Sequence, residues 1–281
     1  MLALVSSLPH PVNCASYQRR SELLVDTLRS ILRQRDPEIH VIVVVNEPPE
    51  AVLPDDPRIE VVQVSFPPKD SPAGKPSLVA IEKDKGAKLG MGTSFAVRRG
   101  AQHVMYVDSD DYIHRDIAGF VAKHPDANGW YFDTGYFHIR GQRSVAPIAK
   151  DFHQRNGTSH IMRTDLLDVA GDLDPSMPRD DVLEAVGRNK AVSIMGRHRP
   201  IVQWFEDLGA PLEPMPFPAA IWEIGTGENC TGVFATAGSR QPIAGAISED
   251  FGLPVPSRAA AIASELSIAR ARVSRLLNRS A

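Results

Sequence analysis

A cluster of acidic side chains directly follows an apolar segment of the sequence. Residues 103–107 read His-Val-Met-Tyr-Val and run into Asp108, Ser109, Asp110 and Asp111. Side chains alternate along an extended chain, so Asp108 and Asp110 can project to the same side. Adjacent carboxylates repel each other unless a cation lies between them, and oxygen ligands suit Mg²⁺ or Mn²⁺. The cluster therefore predicts a divalent-metal site with Asp108 and Asp110 as ligands.

A metal ion held by two carboxylates keeps open positions for the phosphates of a substrate. There it neutralises the charge that a nucleoside diphosphate gains as it leaves. A competing interpretation is that Asp110 or Asp111 caps a helix that runs toward Phe120. An EF-hand calcium loop is disfavoured, because Tyr112 and Ile113 stand where that loop needs an acid or amide followed by glycine.

The segments around this cluster alternate between strand and helix patterns. Apolar runs that end at turn-forming residues predict strands over residues 2–5, 40–45, 59–64 and 103–107. Helical spacing predicts helices over residues 21–35, capped by Ser21, and over residues 85–99. This alternation predicts an α/β fold on a mostly parallel sheet, with ligands beyond the carboxyl ends of the strands.

Beyond residue 118 the pattern is less regular. It predicts aromatic strands around residues 130–132, helices near Leu166 and Val182, and a loop-rich stretch over residues 200–218.

The composition limits the class of protein. With 281 residues and 43% hydrophobic content, the chain can form one large α/β domain or two small ones. The 31 basic and 34 acidic residues nearly cancel, which argues against a nucleic-acid partner.

No apolar run is long enough for a transmembrane segment, and the first residues lack a signal-peptide pattern. Two cysteines, Cys14 and Cys230, fit a reducing compartment. We therefore expect a cytoplasmic protein.

Several blocks of the sequence resemble one family of enzymes. Residues 107–111, Val-Asp-Ser-Asp-Asp, are similar to the Asp-x-Asp(-Asp) motif of glycosyltransferases with the GT-A fold, especially the large family 2 type. Upstream, residues 84–86 with the following helix and Gly100 resemble that family's Asn-x-Gly helix. Downstream, residues 157–171 resemble its acceptor-side segment, and Asp180-Asp181 falls where the family places a catalytic pair. The resemblance covers roughly residues 2–190.

Three motifs depart from the family's pattern. Asn46-Glu47 replaces the double aspartate after the second strand, and Gly92 replaces an asparagine late in the upstream helix. The catalytic pair reads Asp-Asp where the family has Glu-Asp.

The resemblance implies a Rossmann-like GT-A fold of the nucleotide-diphospho-sugar transferase type, with helices on both faces of the sheet. It implies a metal-dependent, inverting, hexosyltransferase-like enzyme that uses Mn²⁺ or Mg²⁺. The implied donor is a UDP- or GDP-linked sugar, and the implied acceptor is a hydroxyl group of a glycan or another molecule. Asp181 would then be the general base, with Asp180 as the second choice. The alternative for this pair is a charged first turn of a helix.

Other residues are assigned to the donor and the metal on the same basis. Ser6 and Asn46, at the ends of the first two strands, are predicted to hold the base and ribose. Asp108 and Ser109 are predicted donor contacts. Independently of the resemblance, Lys85 and Lys88 are predicted to reach the diphosphate, because a loop rich in Gly and Lys near a helix start suits anions. The alternative for the lysines is simple solvation.

A late histidine, His198, is the predicted third metal ligand. The alternative is an ordinary surface histidine, and His153 and His160 are further options for the ligand.

The predicted transferase domain spans residues 1–220, with a nucleotide-binding half of about residues 1–115 and an acceptor half of about residues 116–220. Residues 221–281 are predicted to form a C-terminal extension. Within it, an amphipathic helix over residues 258–279 would dock on the domain or form a homodimer. Residues 225–229 form a polar patch that is predicted to order over the donor.

Two other functions remain open from the sequence. A nucleotidyltransferase that makes the nucleotide sugar would carry a Gly-rich, Arg-containing loop after the first strand, where this chain has Ser-Ser-Leu-Pro-His at residues 6–10. A non-catalytic carbohydrate-binding scaffold could use the same fold. The presence of Asp108, Asp110 and Asp181 together argues against that second alternative.

Overall fold

The computed structural model describes residues 1–68, 76–228 and 240–259, together with Ala261, Ile262 and Leu266. Within these residues the strands form two sheets, and helices pack on both faces of the larger sheet. The longer helices are α1 and α2, and the short ones follow later in the chain: α1 Tyr17–Ile31, α2 Leu78–Arg98, α3 Ile117–Ala122, α4 Arg179–Val186, α5 Arg188–Lys190, α6 Ile201–Asp207 and α7 Ala246–Phe251.

The larger sheet has seven described strands in the order β10-β6-β9-β4-β1-β2-β3. Strands β4, β1, β2 and β3 are parallel to one another, whereas β9 runs antiparallel to both β4 and β6. This arrangement confirms the predicted α/β fold class with a mostly parallel central sheet. The bounds are β1 Leu2–Ser7, β2 Ile39–Val45, β3 Ile59–Gln63, β4 His103–Tyr106, β6 Gly129–Tyr131, β9 His160–Arg163 and β10 Glu213–Pro214.

The alternation of side chains in β1 and β2 gives the larger sheet two buried faces. Val5 and Val44 belong to the core beneath α2, and Leu4 and Val43 belong to the core beneath α1. Helix α2 approaches β1 closely, because a Cβ at Gly92 would lie 2.3 Å from Cγ1 of Val5. Glycine at this position therefore has a packing reason, although it departs from the pattern of the resembled family.

The smaller sheet has five described strands in the order β12-β8-β7-β11-β5. Strand β5 follows the acidic cluster directly, so the cluster forms the connection from the larger sheet to the smaller one. The bounds are β5 Tyr112–Ile113, β7 Gly135–Ile139, β8 Ser144–Ile148, β11 Ala220–Ile224 and β12 Gln241–Pro242.

The predicted domain boundaries do not coincide with breaks in the structure. The boundary predicted between residues 220 and 221 falls inside β11, which lies between β7 and β5 in the smaller sheet. Strands β6 and β9, from the predicted acceptor half, complete the larger sheet beside β4. Pairing between distant strands therefore joins both predicted halves and the start of the predicted extension, and the division into domain and extension stays a prediction.

Both long helices begin earlier than predicted. Helix α1 is capped by Ser16, whose hydroxyl accepts a hydrogen bond from the Arg19 amide, while Ser21 lies inside the helix and bonds to the carbonyl of Tyr17. Helix α2 is capped by Ser77 and includes the glycines that suggested a later start. A Cβ at Gly86, for example, would lie 2.0 Å from the carbonyl oxygen of Ala191, so close packing compensates for the weak helix propensity of glycine.

The later segments also differ in part from the predictions. The stretch over residues 200–218 contains helix α6 as well as loops. Most of the amphipathic helix predicted over residues 258–279 lies outside the described residues, as does Asn229 of the polar patch. Among the helices that are described, none combines the length and apolar character needed to cross a membrane.

Candidate active site

The acidic cluster lies at the carboxyl end of β4, which is the location predicted for ligand contacts. Strand β5 follows the cluster, and helix α3 begins only at Ile117, with Asp116 at its N-cap position. Asp110 and Asp111 therefore do not cap that helix, so the helix-cap interpretation was wrong. The reason is that Tyr112 and Ile113 pair with β11 instead of starting a helical turn.

Asp111 is the buried member of the cluster, with 1% of its surface exposed. Its Oδ1 accepts a hydrogen bond from the Glu223 amide at 3.0 Å, and its Oδ2 accepts from Asn156 Nδ2 at 2.8 Å and Thr158 Oγ1 at 2.6 Å. Burial, together with the charges of Asp110 and Asp108, holds the pKa of Asp111 well above its usual value. Both oxygens of this carboxyl group are thus engaged inside the protein.

Asp108 is partly exposed and is paired with a lysine. Its Oδ1 lies 2.5 Å from Nζ of Lys85, and about a third of each side chain is exposed, 32% and 30% respectively. Burial alone would raise the pKa of Asp108, but the charge and hydrogen bond of Lys85 lower it below its usual value. The backbone amide of Asp108 donates to Thr158 Oγ1 at 2.9 Å. Asp108 is therefore ionised and fixed from two sides.

Asp110 is also partly exposed, and it carries a carboxyl group that is hard to ionise. Burial raises its pKa to about 7, and the charges of Asp108 and Glu223 act in the same direction. Arg20 and Lys85 act in the opposite direction. A cation placed beside Asp110 would favour its ionised form, as opposite charges generally do.

These side chains fit a divalent cation that is bound through two carboxylates. Asp108 and Asp110 are partly exposed, whereas Ser109 and Asp111 are buried. In the described part of the chain, no three His, Cys, Asp or Glu side chains are grouped so that they could hold a metal ion. Mg²⁺ commonly binds through one or two carboxylates and completes its shell with water and substrate phosphates. The donor set therefore suits a cation that shares a phosphate ligand.

The segment over residues 156–158 packs directly against the acidic cluster. A Cβ at Gly157 would lie 2.7 Å from Oδ2 of Asp108 and 3.2 Å from Nζ of Lys85. Asn156 and Thr158 on either side bind Asp111, and both are buried. The segment that resembles the acceptor side of the family is therefore adjacent to the predicted metal ligands.

His198 is brought to the same region by the loop that precedes α6. Burial is the main reason that the pKa of His198 is lowered to about 4, and the positive charge of Lys85 adds to this shift. The negative charge of Asp108 acts in the opposite direction. Nε2 of His198 is buried and has no hydrogen-bond partner among the described residues. His160 is buried nearby with its pKa lowered by burial and then by His198 and His153. His198 is thus a neutral imidazole near Asp108, and its role as a metal ligand stays a prediction.

The two predicted phosphate-binding lysines have different surroundings. Lys88 is fully buried, and its Nζ donates to the carbonyl of Leu8 at 2.8 Å and to Asp84 Oδ2 at 3.0 Å. The interpretation of Lys88 as a solvated lysine was therefore wrong, because it belongs to an internal ion pair. Lys85, with its exposed portion beside Asp108, is the better placed of the two for a diphosphate.

Ser6 and Asn46 lie at the carboxyl ends of β1 and β2, as predicted. Both are buried, and Asn46 Nδ2 donates to the carbonyls of Phe66 at 2.7 Å and Val64 at 3.4 Å. Among the described residues, neither Ser6 Oγ nor Asn46 Oδ1 has a hydrogen-bond partner. Buried polar atoms are usually paired, so these two oxygens are exceptions, and their contact with a donor stays a prediction.

The predicted catalytic pair lies in the first turn of α4. Asp180 and Asp181 are exposed, and Asp180 lies 3.3 Å from Nη1 of Arg188. Within the described part of the chain, no side-chain hydrogen bond or ion pair joins either residue to Asp108 or Asp110. The structure thus places the pair on the surface of a helix that packs against α2, and the role of Asp181 as general base stays a prediction.

Sequence reasoning missed several residues around the cluster. Glu223 bonds to Asp111 through its amide, and its carboxylate binds His138 Nδ1 at 2.9 Å and Arg140 Nη1 at 2.5 Å. No local pattern marks Glu223, because only the insertion of β11 into the smaller sheet brings it there.

The sequence predicted a polar patch over residues 225–229, but it did not predict which residues Glu228 in this patch would bind. Glu228 accepts hydrogen bonds from the Ser16 amide at 2.8 Å and from Arg20 Nε at 3.1 Å. Arg20 in turn lowers the pKa of Asp110. The described part of the patch therefore contacts the start of α1 close to the acidic cluster.

Comparisons with known proteins leave the family open. No protein-family model matches the chain, and no curated protein matches it. Among solved structures, it is similar to residues 1–349 of S. aureus TarS, with 16% identity, a TM-score of 0.34 and coverage of 78% of this chain and 59% of that one. A longer S. aureus TarS structure gives 15% identity, a TM-score of 0.35 and coverage of 79% and 36%.

A third solved structure is a candidate nucleotide-diphospho-sugar transferase from Desulfovibrio desulfuricans G20. It has 12% identity and a TM-score of 0.34, with coverage of 79% of this chain and 80% of that one. The chain spans less than two thirds of the length of either TarS structure. At these TM-scores, similarity to a solved structure establishes neither the family nor the function of this chain. The order of strands in the sheets defines the fold class, and any proposal about function depends on the geometry of the site.

Proposed function

We propose that this chain is a metal-dependent glycosyltransferase, which moves a sugar from a nucleoside-diphosphate donor to a hydroxyl group of an acceptor. The observation that carries the proposal is the arrangement of the three carboxyl groups after β4. Asp108 and Asp110 are partly exposed, whereas Asp111 is buried behind them. Carboxylates that can hold a cation, with an ammonium group beside them, are the groups that a leaving diphosphate requires.

Each residue of the site has a distinct part in this proposal. Asp108 and Asp110 would hold Mn²⁺ or Mg²⁺, which when bound neutralises charge on the diphosphate. Lys85 lies beside Asp108, where its ammonium group can donate to a phosphate oxygen while it keeps its carboxylate partner. Ser6 Oγ and Asn46 Oδ1, which have no hydrogen-bond partner among the described residues, lie at the adjacent strand ends and would bind the base and ribose of a UDP- or GDP-linked donor.

We further propose that the transfer inverts the configuration of the sugar and that a carboxylate acts as general base. An inverting transfer needs a carboxylate that accepts the proton of the acceptor hydroxyl as its oxygen attacks. The resemblance assigns this task to Asp181, with Asp180 as the second choice, and the exposure of both leaves them open to an acceptor. The resemblance assigns the third metal ligand to His198, whose Nε2 has no hydrogen-bond partner among the described residues. In this structure His198 does not form a three-residue metal group with Asp108 and Asp110, so a bound cation would have to draw it closer.

Nucleotide binding measured by thermal unfolding tests the proposal. UDP or GDP should raise Tm when Mn²⁺ is present and not when it is absent, since a ligand at about 100 times its Kd adds about 2.7 kcal/mol of stability. Asp110→Asn should remove this response. The matched control is Asp55→Asn, which neutralises an exposed aspartate outside the site and should respond as the wild-type chain does.

Other outcomes of the same measurement point to other functions. Stabilisation by a nucleoside triphosphate with a sugar phosphate, but not by nucleoside diphosphates, would indicate a nucleotidyltransferase. Absence of any response to nucleotides would contradict both enzymes and favour a carbohydrate-binding scaffold.

A further inference from the structure

The hydroxyl group of Thr158 joins two members of the acidic cluster. Thr158 Oγ1 accepts a hydrogen bond from the Asp108 amide at 2.9 Å and donates its single proton to Asp111 Oδ2 at 2.6 Å. The Thr158 side chain is fully buried, so water does not replace these bonds. One hydroxyl thus connects the backbone of a predicted metal ligand to a carboxyl group three residues later.

The carboxyl group of Asp111 is itself held from two other segments. Asn156 Nδ2 donates to the same oxygen as Thr158, and the Glu223 amide donates to the other oxygen. Asn156 Oδ1 also accepts a hydrogen bond from the Thr158 amide at 2.5 Å, which fixes Thr158 relative to Asp111. Residues from the end of β4, the loop before β9 and strand β11 therefore meet at one buried carboxyl group.

We propose that Thr158 is a positioning residue for the metal and diphosphate site, and that Asp111 is its anchor. This inference rests on the proposed function, because it concerns the site formed by Asp108 and Asp110. Thr158 is fully buried and binds the backbone amide of Asp108, not its carboxylate. It sets the position of the Asp108 backbone, from which the carboxylate reaches Lys85 and the proposed cation. Asp111 is 1% exposed and both of its carboxyl oxygens accept hydrogen bonds from internal donors, so it serves the packing of the site from the inside.

The expected size of the effect follows from other metal sites. Residues that orient a ligand through a hydrogen bond commonly change metal affinity by about 10-fold to 100-fold when they are removed. Thr158→Val keeps the size and the branched shape of the side chain but removes the hydroxyl. Thr158→Ser keeps the hydroxyl and removes only a methyl group. The two variants therefore separate the hydrogen bonds from the packing of the side chain.

The test is the affinity of the full chain for Mn²⁺, measured by titration calorimetry without donor or acceptor. Thr158→Val should weaken Mn²⁺ binding by about 10-fold or more, and Thr158→Ser should bind close to the wild-type affinity. The matched control is Thr164→Val. Thr164 is also buried, and its hydroxyl bonds to the carbonyls of Ala101 at 2.6 Å and Gln102 at 3.1 Å, away from the cluster. This control should bind Mn²⁺ as the wild-type chain does.

Hydrogen exchange gives a second measurement that needs no metal. The Asp108 amide should exchange faster in Thr158→Val than in the wild-type chain, because its acceptor is removed, and should be unchanged in Thr164→Val. Unchanged exchange in Thr158→Val would overturn the inference.

The results can separate this inference from the proposed function. If the wild-type chain binds Mn²⁺ and Thr158→Val binds it with the same affinity, the inference is overturned and the proposed function stands. The same holds if Thr158→Val and Thr164→Val lose equal affinity for Mn²⁺. Loss of affinity in Thr158→Ser that matches Thr158→Val would assign the effect to packing and also overturn it. A wild-type chain that binds no Mn²⁺ would overturn the proposed metal-dependent function, and with it the role of Thr158.

Discussion

Gly157 lies against the carboxylate of Asp108, so closely that a Cβ at this position would stand 2.7 Å from Oδ2. The three nearest atoms to such a Cβ belong to the carboxyl group of Asp108 and to the ammonium group of Lys85, which lies at 3.2 Å. Both are ends of partly exposed side chains, which can move aside without disturbing the core. A larger residue at Gly157 should therefore displace the site while leaving the fold intact.

Gly157→Ala is expected to abolish the Mn²⁺-dependent response to UDP or GDP and to change the free energy of unfolding by no more than about 1 kcal/mol. Thermal unfolding with and without Mn²⁺ and nucleotide measures both effects. Gly119→Ala is the matched control, since a Cβ there meets nothing closer than 3.8 Å. A Gly157→Ala protein that responds to nucleotide like the wild-type chain would show that the carboxylate of Asp108 is not needed in its present position.

The ion pair between Lys88 and Asp84 should contribute strongly to stability as a pair. Both side chains are buried, at 1% and 3% exposure, and the ammonium also binds the carbonyl of Leu8. Lys88→Met should lower the free energy of unfolding by about 3–5 kcal/mol, because it removes an ammonium group that lies 3.0 Å from a buried carboxylate. Lys88→Met combined with Asp84→Asn should recover part of that loss in urea unfolding.

The same variants address the predicted contact of Lys88 with the diphosphate. If Lys88 acts only within the ion pair, the double variant keeps the Mn²⁺-dependent nucleotide response. A stable double variant that has lost the response would instead support the contact. A Lys88→Met protein as stable as the wild-type chain would contradict the structural role of the pair.

His103 should make the protein less stable at acid pH. Its ring is buried, which lowers its pKa below the ordinary 6.5, while its hydrogen bond to the carbonyl of Ala127 opposes this shift. As the pH falls below 6.5, the unfolded chain takes up the proton before the folded chain does, so the free energy of unfolding decreases. Above that pH the contribution is constant.

His103→Gln should remove this contribution and retain a hydrogen-bond donor. The free energy of unfolding of both proteins is measured in urea between about pH 5 and pH 7. As the pH falls, the wild-type chain should lose more stability than the variant does. His124→Gln, at an exposed histidine, is the control and should leave the slope unchanged. A constant difference between wild type and His103→Gln would show that the two states share one pKa at this residue.

Asp181→Asn tests the proposed general base. Nucleoside-diphosphate binding should be unchanged, because Asp181 makes no described contact with the acidic cluster, whereas sugar transfer should fall by about 10²-fold to 10⁴-fold. Asp180→Asn is the neighbouring control, and we expect it to keep most of the activity. Full activity in Asp181→Asn would leave the residue as a charged first turn of α4, and weaker nucleotide binding would indicate a role in the donor site.

Local patterns were sufficient for the elements that carry the site. Continuous apolar runs predicted β1, β2, β3 and β4 to within a few residues, and the break after residue 107 marked the acidic cluster at a strand end. These features depend on neighbouring residues, so the sequence alone contained them. Helix starts were less well predicted, since Ser16 and Ser77 were passed over for later residues. Several serines near each helix start could act as the N-cap residue, and tertiary packing determines which of them does so.

The division of roles among the three aspartates was decided only by the tertiary structure. Asp108, Asp110 and Asp111 look alike in the sequence, yet one is buried because the Glu223 amide, 112 residues further along the chain, bonds to it. Lys85 and Lys88 stand on the same helix, yet one reaches Asp108 and the other an internal partner. Burial and pairing between distant segments determine which charged group stays exposed at the strand ends, and no local pattern of residues contains that information.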